Sequence, residues 1–232
     1  PAALLGATAA MLPDLDVLID SASDPLLQLE YHRQFSHSLF FAPVIALIAT
    51  ALWWWLIKKN MSFRQAYVFS LAGAATAGLA DVFTSYGVQL FWPFATTQYS
   101  WNLISVFDPL FSLGLVIALA FAVYLKHRGA ARYGIGWLTI YLAFAIGQQM
   151  RAQNVADSLA HQRNHHLQKV IVKPTIANEL LWSIRYVDGD TLYADGVRLM
   201  PFADPLIYEG SSAPLLNWEE RFEELKGRTL YD

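Results

Sequence analysis

The run from Leu39 to Ile57 is about 19 residues long and carries no charge. A helix of that length and character can cross the hydrocarbon core of a bilayer. Three further apolar blocks follow: Ala66 to about Ala80, rich in Ala and Gly; Leu110 to Leu125; and Gly134 to Gly147. Pro1 to Leu12 reads as the tail of a fifth helix. The small residues of the second block ("LAGAATAGLA") suit close packing against other helices. The chain as a whole is 55% hydrophobic and only 15% charged, against a usual charged share of roughly 25%. A soluble all-helical core is the competing reading, and the length of the first and third blocks weighs against it. The expected fold is mainly α: a polytopic transmembrane bundle of about four to five apolar helices.

Residues 1–147 form this expected helical domain, and residues 148–232 differ in composition. "QQMRAQNVADSLAHQRNHHLQKV" reads as a polar helix continuing from the fourth block. "IVKPT" is extended around its proline. "LLWSIRYVDGDTLYADGV" alternates on either side of an Asp-Gly, which signals a hairpin. "NWEERFEELKG" reads as a closing amphipathic helix stopped by Gly227. The tail is therefore expected to be a small extramembrane α+β domain. Lys58, Lys59 and Arg64 follow the first block, and Lys126, Arg128 and Arg132 follow the third. By the positive-inside rule both loops are cytoplasmic. A multi-pass protein results, with Asp14 to Ser38, Phe83 to Asp108 and the tail on the extracytoplasmic side.

The composition also excludes classes. With no Cys, disulfides, thiolate metal sites and a Cys nucleophile are out. A net charge of −3 gives no footprint for nucleic acid. The chain begins at Pro1 without a Met, which reads as a fragment or a processed form. Its first residues lack the basic start of a signal peptide.

Ligand-capable residues gather at the expected outer ends of the apolar blocks. Asp14 and Asp16 lie in "LPDLD", His32 and His37 in "HRQFSH", Asp81 in "LADVFTSYG" and Asp108 in "FDPL". Each has a plainer role available: Asp108 before Pro109 suits a helix N-cap, and Asp14 after Pro13 suits a turn. Asp81 is harder to explain that way. A carboxylate at the C-terminus of an apolar helix opposes both burial and the helix dipole, and a nearby cation answers both. Imidazoles and carboxylates without thiolate suit Zn, with Mn or Fe as alternatives. The set could hold one or two ions, and two-metal sites serve phosphoester hydrolysis. His32 and His37 need a turn between them to share a site. Asp14 and Asp16 could both point inward from a turn, or one could orient a His. Arg33 would clamp a phosphate or carboxylate, or meet lipid headgroups. Ser36 and Ser38 could donate to a substrate, and Ser36 also reads as an N-cap. His161, His165 and His166 sit on the polar helix, where a solvated face is the simpler account. Tyr86, Trp92 and Trp101 read as an interfacial aromatic belt.

"LPDLDVLI", "YHRQFSHSLFF", "LADVFTSYGVQLFWPF", "FDPLF" and "KPTIANELLWSI" resemble the YdjM-like family of inner-membrane, metal-dependent hydrolases. The resemblance runs from about Pro1 to Trp182. That family is thought distantly similar to zinc-dependent phospholipase C, which implies a helical metal site. Its motif acids and imidazoles fall on Asp14, Asp16, His32, His37, Asp81 and Asp108. Family members usually carry a His four residues before the Asp of the TSYG motif, and here that position is Ala77.

These readings combine into a membrane-bound hydrolase with a divalent metal held by Asp14, Asp16, His32, His37 and Asp81. Asp108 would be the general base and Arg33 the anion clamp. The substrate would be a phosphoester in a lipid or envelope component. The partners would be membrane lipids, with no nucleic acid. The competing class is a non-enzymatic membrane scaffold with a structural or vestigial metal site.

Overall fold

The computed structural model describes residues 1–19, 31–125 and 128–215. They form five α-helices and four strands: α1 (Ala2–Met11), α2 (Ala42–Ile57), α3 (Phe63–Asp81), α4 (Pro109–Leu125), α5 (Arg128–Arg163), β1 (Lys169–Pro174), β2 (Leu181–Asp188), β3 (Thr191–Arg198) and β4 (Leu206–Pro214). A 3-10 turn, Pro13–Leu18, follows α1. The chain divides into two compact units, Pro1–Ala143 and Phe144–Asp232.

The expected transmembrane bundle is not what forms. No helix among the described residues is long and apolar enough to cross a membrane. In the first block, Leu39 to Phe41 are spent on a turn, with the Phe41 amide donating to the carbonyl of the preceding Ser38. That leaves α2 with 16 residues, about 24 Å at the helical rise, against a core of about 30 Å. The α4 helix has 17 residues and reaches about 26 Å. The 19-residue α3 is long enough but mixes Arg64, Gln65, Ser70 and Thr76 into its sequence. The 36-residue α5 is apolar only over Gly134 to Gly147. The orientation argument falls with the spans. Arg128 and Arg132 are also part of α5 rather than of a loop, and Lys126 lies outside the described residues.

In the first unit, α1 packs against α3 and α2. Leu5 and Ala9 of α1 are fully buried. A Cβ on Gly73 would stand 2.2 Å from the Gly6 carbonyl oxygen, so only glycine permits this crossing. The small-residue block thus serves close helix packing. The N-terminus of α3 carries a capping box between Ser62 and Gln65, which satisfies two of the donors left open there.

In the second unit, Ala152, Val155, Ala156 and Leu159 recur at helical spacing and bury one face of α5 against the sheet, meeting Val172, Trp182, Ile184, Tyr186, Val197 and Leu199. The sheet is antiparallel in the order β1-β2-β3-β4. The Asp-Gly hairpin signal falls at the β2–β3 turn, where Gly189 has φ +55° and opens a tight connection suited to the strand twist. Across a bulge, β4 pairs with β3, and a Cβ on Gly210 would meet the Ala194 carbonyl oxygen at 1.8 Å. The polar helix stops at Arg163, because Asn164 takes φ +55°. The predicted closing helix at "NWEERFEELKG" lies outside the described residues.

Candidate functional site

Pro13 opens the 3-10 turn that carries both Asp14 and Asp16. The two carboxylates separate in role because the tight turn sends them in different directions. Asp16 points inward, with a side chain only 1% exposed. Asp14 points outward, with a side chain 65% exposed.

Asp16 organises the segment that follows Tyr31. Its Oδ2 accepts from the Arg33 amide at 2.9 Å and from Ser36 Oγ at 2.6 Å. Its Oδ1 lies 2.8 Å from His32 Nδ1. Arg33 adopts φ +59°, an uncommon conformation for a residue with a Cβ. The bond from its amide to Asp16 holds that bend, which turns His32 back toward His37. The two imidazole centroids stand 6.5 Å apart. Burial pushes the Asp16 carboxyl up, but the bonds from Ser36, the Arg33 amide and His32 outweigh it and hold it below the ordinary carboxylate value.

His37 is buried and its ring is fixed from behind. Ser36 Oγ lies 3.0 Å from His37 Nδ1. That hydroxyl has one proton, which goes to Asp16 in the shorter bond. It can therefore only accept from His37, so Nδ1 carries the hydrogen. The other nitrogen, Nε2, faces two carboxylates: Asp14 Oδ1 at 3.3 Å and Asp81 Oδ2 at 3.3 Å.

Asp81 reaches this point from the last turn of α3. A Cβ on Gly78, one turn earlier, would stand 2.4 Å from the His37 carbonyl oxygen, so glycine lets the helix approach closely. Arg33 Nη1 lies 3.6 Å from Asp81 Oδ1 and donates to Thr84 Oγ1 at 3.2 Å. The Thr84 hydroxyl in turn donates to the Asp81 backbone carbonyl at 2.8 Å. The Arg33 guanidinium lies over the Tyr86 ring, 5.5 Å from its centroid. Burial raises the Asp81 carboxyl above its ordinary value. The nearby Arg33 and His37 charges counter this only in part, and Asp14 adds to it. Its charge partners stand beyond ordinary hydrogen-bond distance.

Five of the sequence-predicted residues therefore converge with Arg33: Asp14, Asp16, His32, His37 and Asp81. Asp108 is placed otherwise. Its Oδ1 accepts the Phe111 amide at 3.0 Å and its Oδ2 accepts the Tyr141 hydroxyl at 2.5 Å. It caps α4, and no bond or ion pair among the described residues links it to the cluster. Ser38 donates to the Trp92 carbonyl and accepts the Phe40 amide, so its hydroxyl is committed. Ser36 is no helix cap, since α2 begins at Ala42. His161 lies on α5 while His165 lies beyond its end, so the two do not share a helix face; His165 contacts Tyr186 and Tyr193.

Sequence reasoning missed Gly78, Thr84 and the linking role of Ser36. The "SHS" triplet held the only signal for Ser36. Gly78 and Thr84 act through approach and bonding to distant residues, which no spacing announces.

Among the described residues, no three His, Asp or Glu side chains close on one point as a finished metal site. The donor chemistry around His37 nevertheless fits one. Ligands about 2.1 Å from a tetrahedral zinc stand about 3.4 Å from one another. The two 3.3 Å separations from His37 Nε2 match such edges, and Asp14 is exposed enough to turn inward.

No curated protein and no solved structure matches this chain. The family model described as YdjM inner membrane protein matches residues 1–152. That match covers well over half of the chain, which therefore belongs to the YdjM inner membrane protein family.

Proposed function

We propose that this protein is a metal-dependent hydrolase that acts at the membrane on a phosphoester in a lipid or envelope component. One observation carries the reading: His37 Nε2, with the proton held on Nδ1 by Ser36, faces Asp14 and Asp81 at 3.3 Å each. A lone pair facing two carboxylates is repulsive, so Nε2 needs positive charge between itself and them, from a second ring proton or from a metal ion. A divalent ion answers that need and also explains why Asp81 is tolerated at the C-terminus of α3.

His37, Asp14 and Asp81 would hold the ion. His32 is the next donor, since Asp16 occupies its Nδ1 and Nε2 makes no bond among the described residues. Zinc suits this set, and Mn or Fe would also be accepted. Such an ion supplies a water of lowered pKa and a positive charge for the developing oxyanion. The protein's own residues do the rest. Asp16 fixes both imidazoles from behind, directly for His32 and through Ser36 for His37. Arg33, anchored by Thr84 and Tyr86, offers its guanidinium to a phosphoryl oxygen. Asp108 caps α4 and holds Tyr141, and it takes no part in this arrangement.

Membrane lipids are the proposed partners. Leu47, Leu52, Trp55 and Leu56 of α2 are exposed, as are Leu113, Val116 and Phe121 of α4. Apolar faces of this extent mark a membrane or protein contact. A second reading, a non-enzymatic scaffold with a structural or vestigial site, draws on Ala77, which removes a fourth donor from the turn before Asp81.

The test is metal analysis of gently purified protein, followed by the His37→Ala variant. Stoichiometric Zn, Mn or Fe is expected in the wild type. His37→Ala should lose the ion together with hydrolysis of a phosphodiester reporter. Wild-type protein that holds no metal and accepts none on loading would sink the hydrolase reading.

A further inference from the structure

The sheet of the second unit has two unlike faces. One is buried under α5. Strand alternation and register place Lys169 and Lys173 of β1, Arg185 of β2 and Arg198 of β3 on the other. The strands' carboxylates avoid this face. Asp188 and Asp195 lie on the α5 side by alternation, and Glu209 sits opposite the bulge at Asp195. Among the described residues, none of the four cations has a carboxylate partner. Arg185 pairs across with Ile171, which places it diagonally between Lys169 and Lys173. Like charges at that spacing repel, and an opposing anionic surface would relieve them.

Exposed apolar groups lie between the charges. Ile171, Leu192, Leu206 and Tyr208 share the face, and all four are exposed. This mixture decides between two kinds of polyanion. A single-stranded nucleic acid is read by stacking on aromatic rings, and Tyr208 is the one aromatic side chain here among the described residues. Aliphatic side chains among Lys and Arg instead match the boundary between phosphate headgroups and acyl chains. We infer that the open face of this sheet docks on a bilayer surface rich in anionic phospholipid, with Lys169, Lys173, Arg185 and Arg198 on the headgroups. The inference rests on the membrane association proposed above and adds the face and the lipid charge.

The chain has no Cys, so Ser183→Cys on this face gives a unique attachment point for an environment-sensitive fluorophore. The full-length labelled protein is reconstituted with vesicles of pure phosphatidylglycerol or of pure phosphatidylcholine. Vesicle flotation and access of a water-soluble quencher are then read together. The expected result is flotation with both lipids, and a label shielded only by phosphatidylglycerol and released by salt. In Lys169→Gln and Arg185→Gln, the ratio of shielded to accessible label should fall roughly five-fold for each removed charge. Flotation with a label equally accessible in both lipids overturns the docking face and leaves membrane association standing. A label shielded in both, or before lipid is added, overturns it in favour of cover by the chain itself or a second copy. Shielding by an oligonucleotide but not by phosphatidylglycerol overturns it in favour of nucleic acid. Failure to float with either lipid removes the membrane association and this inference with it.

Discussion

Each unit of this protein holds a cluster of arginine, aspartate and histidine, and the two clusters are satisfied to different degrees. In the second unit, Arg163 reaches Asp195 with two bonds, at 2.6 and 3.1 Å, and donates to the Tyr186 hydroxyl at 2.9 Å. Asp195 also accepts the Gly210 amide, and His165 meets the same Tyr186 hydroxyl. Burial pushes the Asp195 carboxyl up, but the Arg163 and Gly210 bonds outweigh it and hold it below the ordinary value. The bonds to Asp195 and Tyr186 likewise raise Arg163. In the first unit, Asp81 has His37 Nε2 at 3.3 Å and the Arg33 guanidinium at 3.6 Å, and its carboxyl is raised. A closed network of this kind stabilises a fold. An open one stores an unmet demand for positive charge, which is what a metal or substrate site requires.

Three substitutions break or sharpen that contrast. The largest effect belongs to the closed network. Asp195→Ala leaves the partly exposed Arg163 guanidinium without its carboxylate and should cost about 1.5–3 kcal/mol of stability, measured by denaturant unfolding. Metal uptake by the first unit should not change, and a loss below 1 kcal/mol would show that the pair behaves like a surface ion pair.

Asp81→Asn should move stability the other way, by about 1 kcal/mol at neutral pH without added metal, while abolishing metal binding. The pH dependence gives the sign independently. The folded-state pKa of Asp81 is raised, so the folded chain holds that proton more tightly than the unfolded one. Its contribution improves as pH falls through the window just above the ordinary carboxylate value of 3.8 and worsens as pH rises through it. Asp16 and Asp195 have lowered folded-state values. Their contributions are complete above 3.8 and are lost as pH falls through those lowered values. A thermal-stability profile in which Asp81→Asn destabilises the apo protein at pH 7 would contradict the contrast.

The smallest effect is expected at Asp108. Asn caps a helix about as well as Asp, so Asp108→Asn should cost under about 1 kcal/mol and leave phosphodiester hydrolysis within a few-fold of wild type. A thousand-fold loss of hydrolysis at unchanged stability would make Asp108 the general base after all.

Local features were legible where neighbours in sequence decide them. The hairpin at Asp188-Gly189 follows from the glycine's tolerance of positive φ, and the stripe from Ala152 to Leu159 follows from helical spacing. The membrane-spanning helices were misread for an equally local reason. Composition showed continuous apolar runs, but Ser38 diverted three residues of the first into a turn, the run in α4 is too short, and polar residues dilute α3. The sequence offers Asp108 as cap or as base, and it gives no sign of the bond from Tyr141, far along the chain, to the second oxygen.

The sequence by itself determined the donor inventory: imidazole and carboxylate without thiolate, an arginine between the two histidines, and an aspartate ending an apolar helix. Only the tertiary structure decided how those donors divide the work. Asp14 and Asp16 are two residues apart and chemically identical, yet one is exposed beside His37 and the other is buried beneath both imidazoles. The 3-10 turn, the bend at Arg33 and the close approach at Gly78 set that difference. Each is a matter of backbone path and of contacts between residues far apart in the chain, which residue type and spacing do not specify.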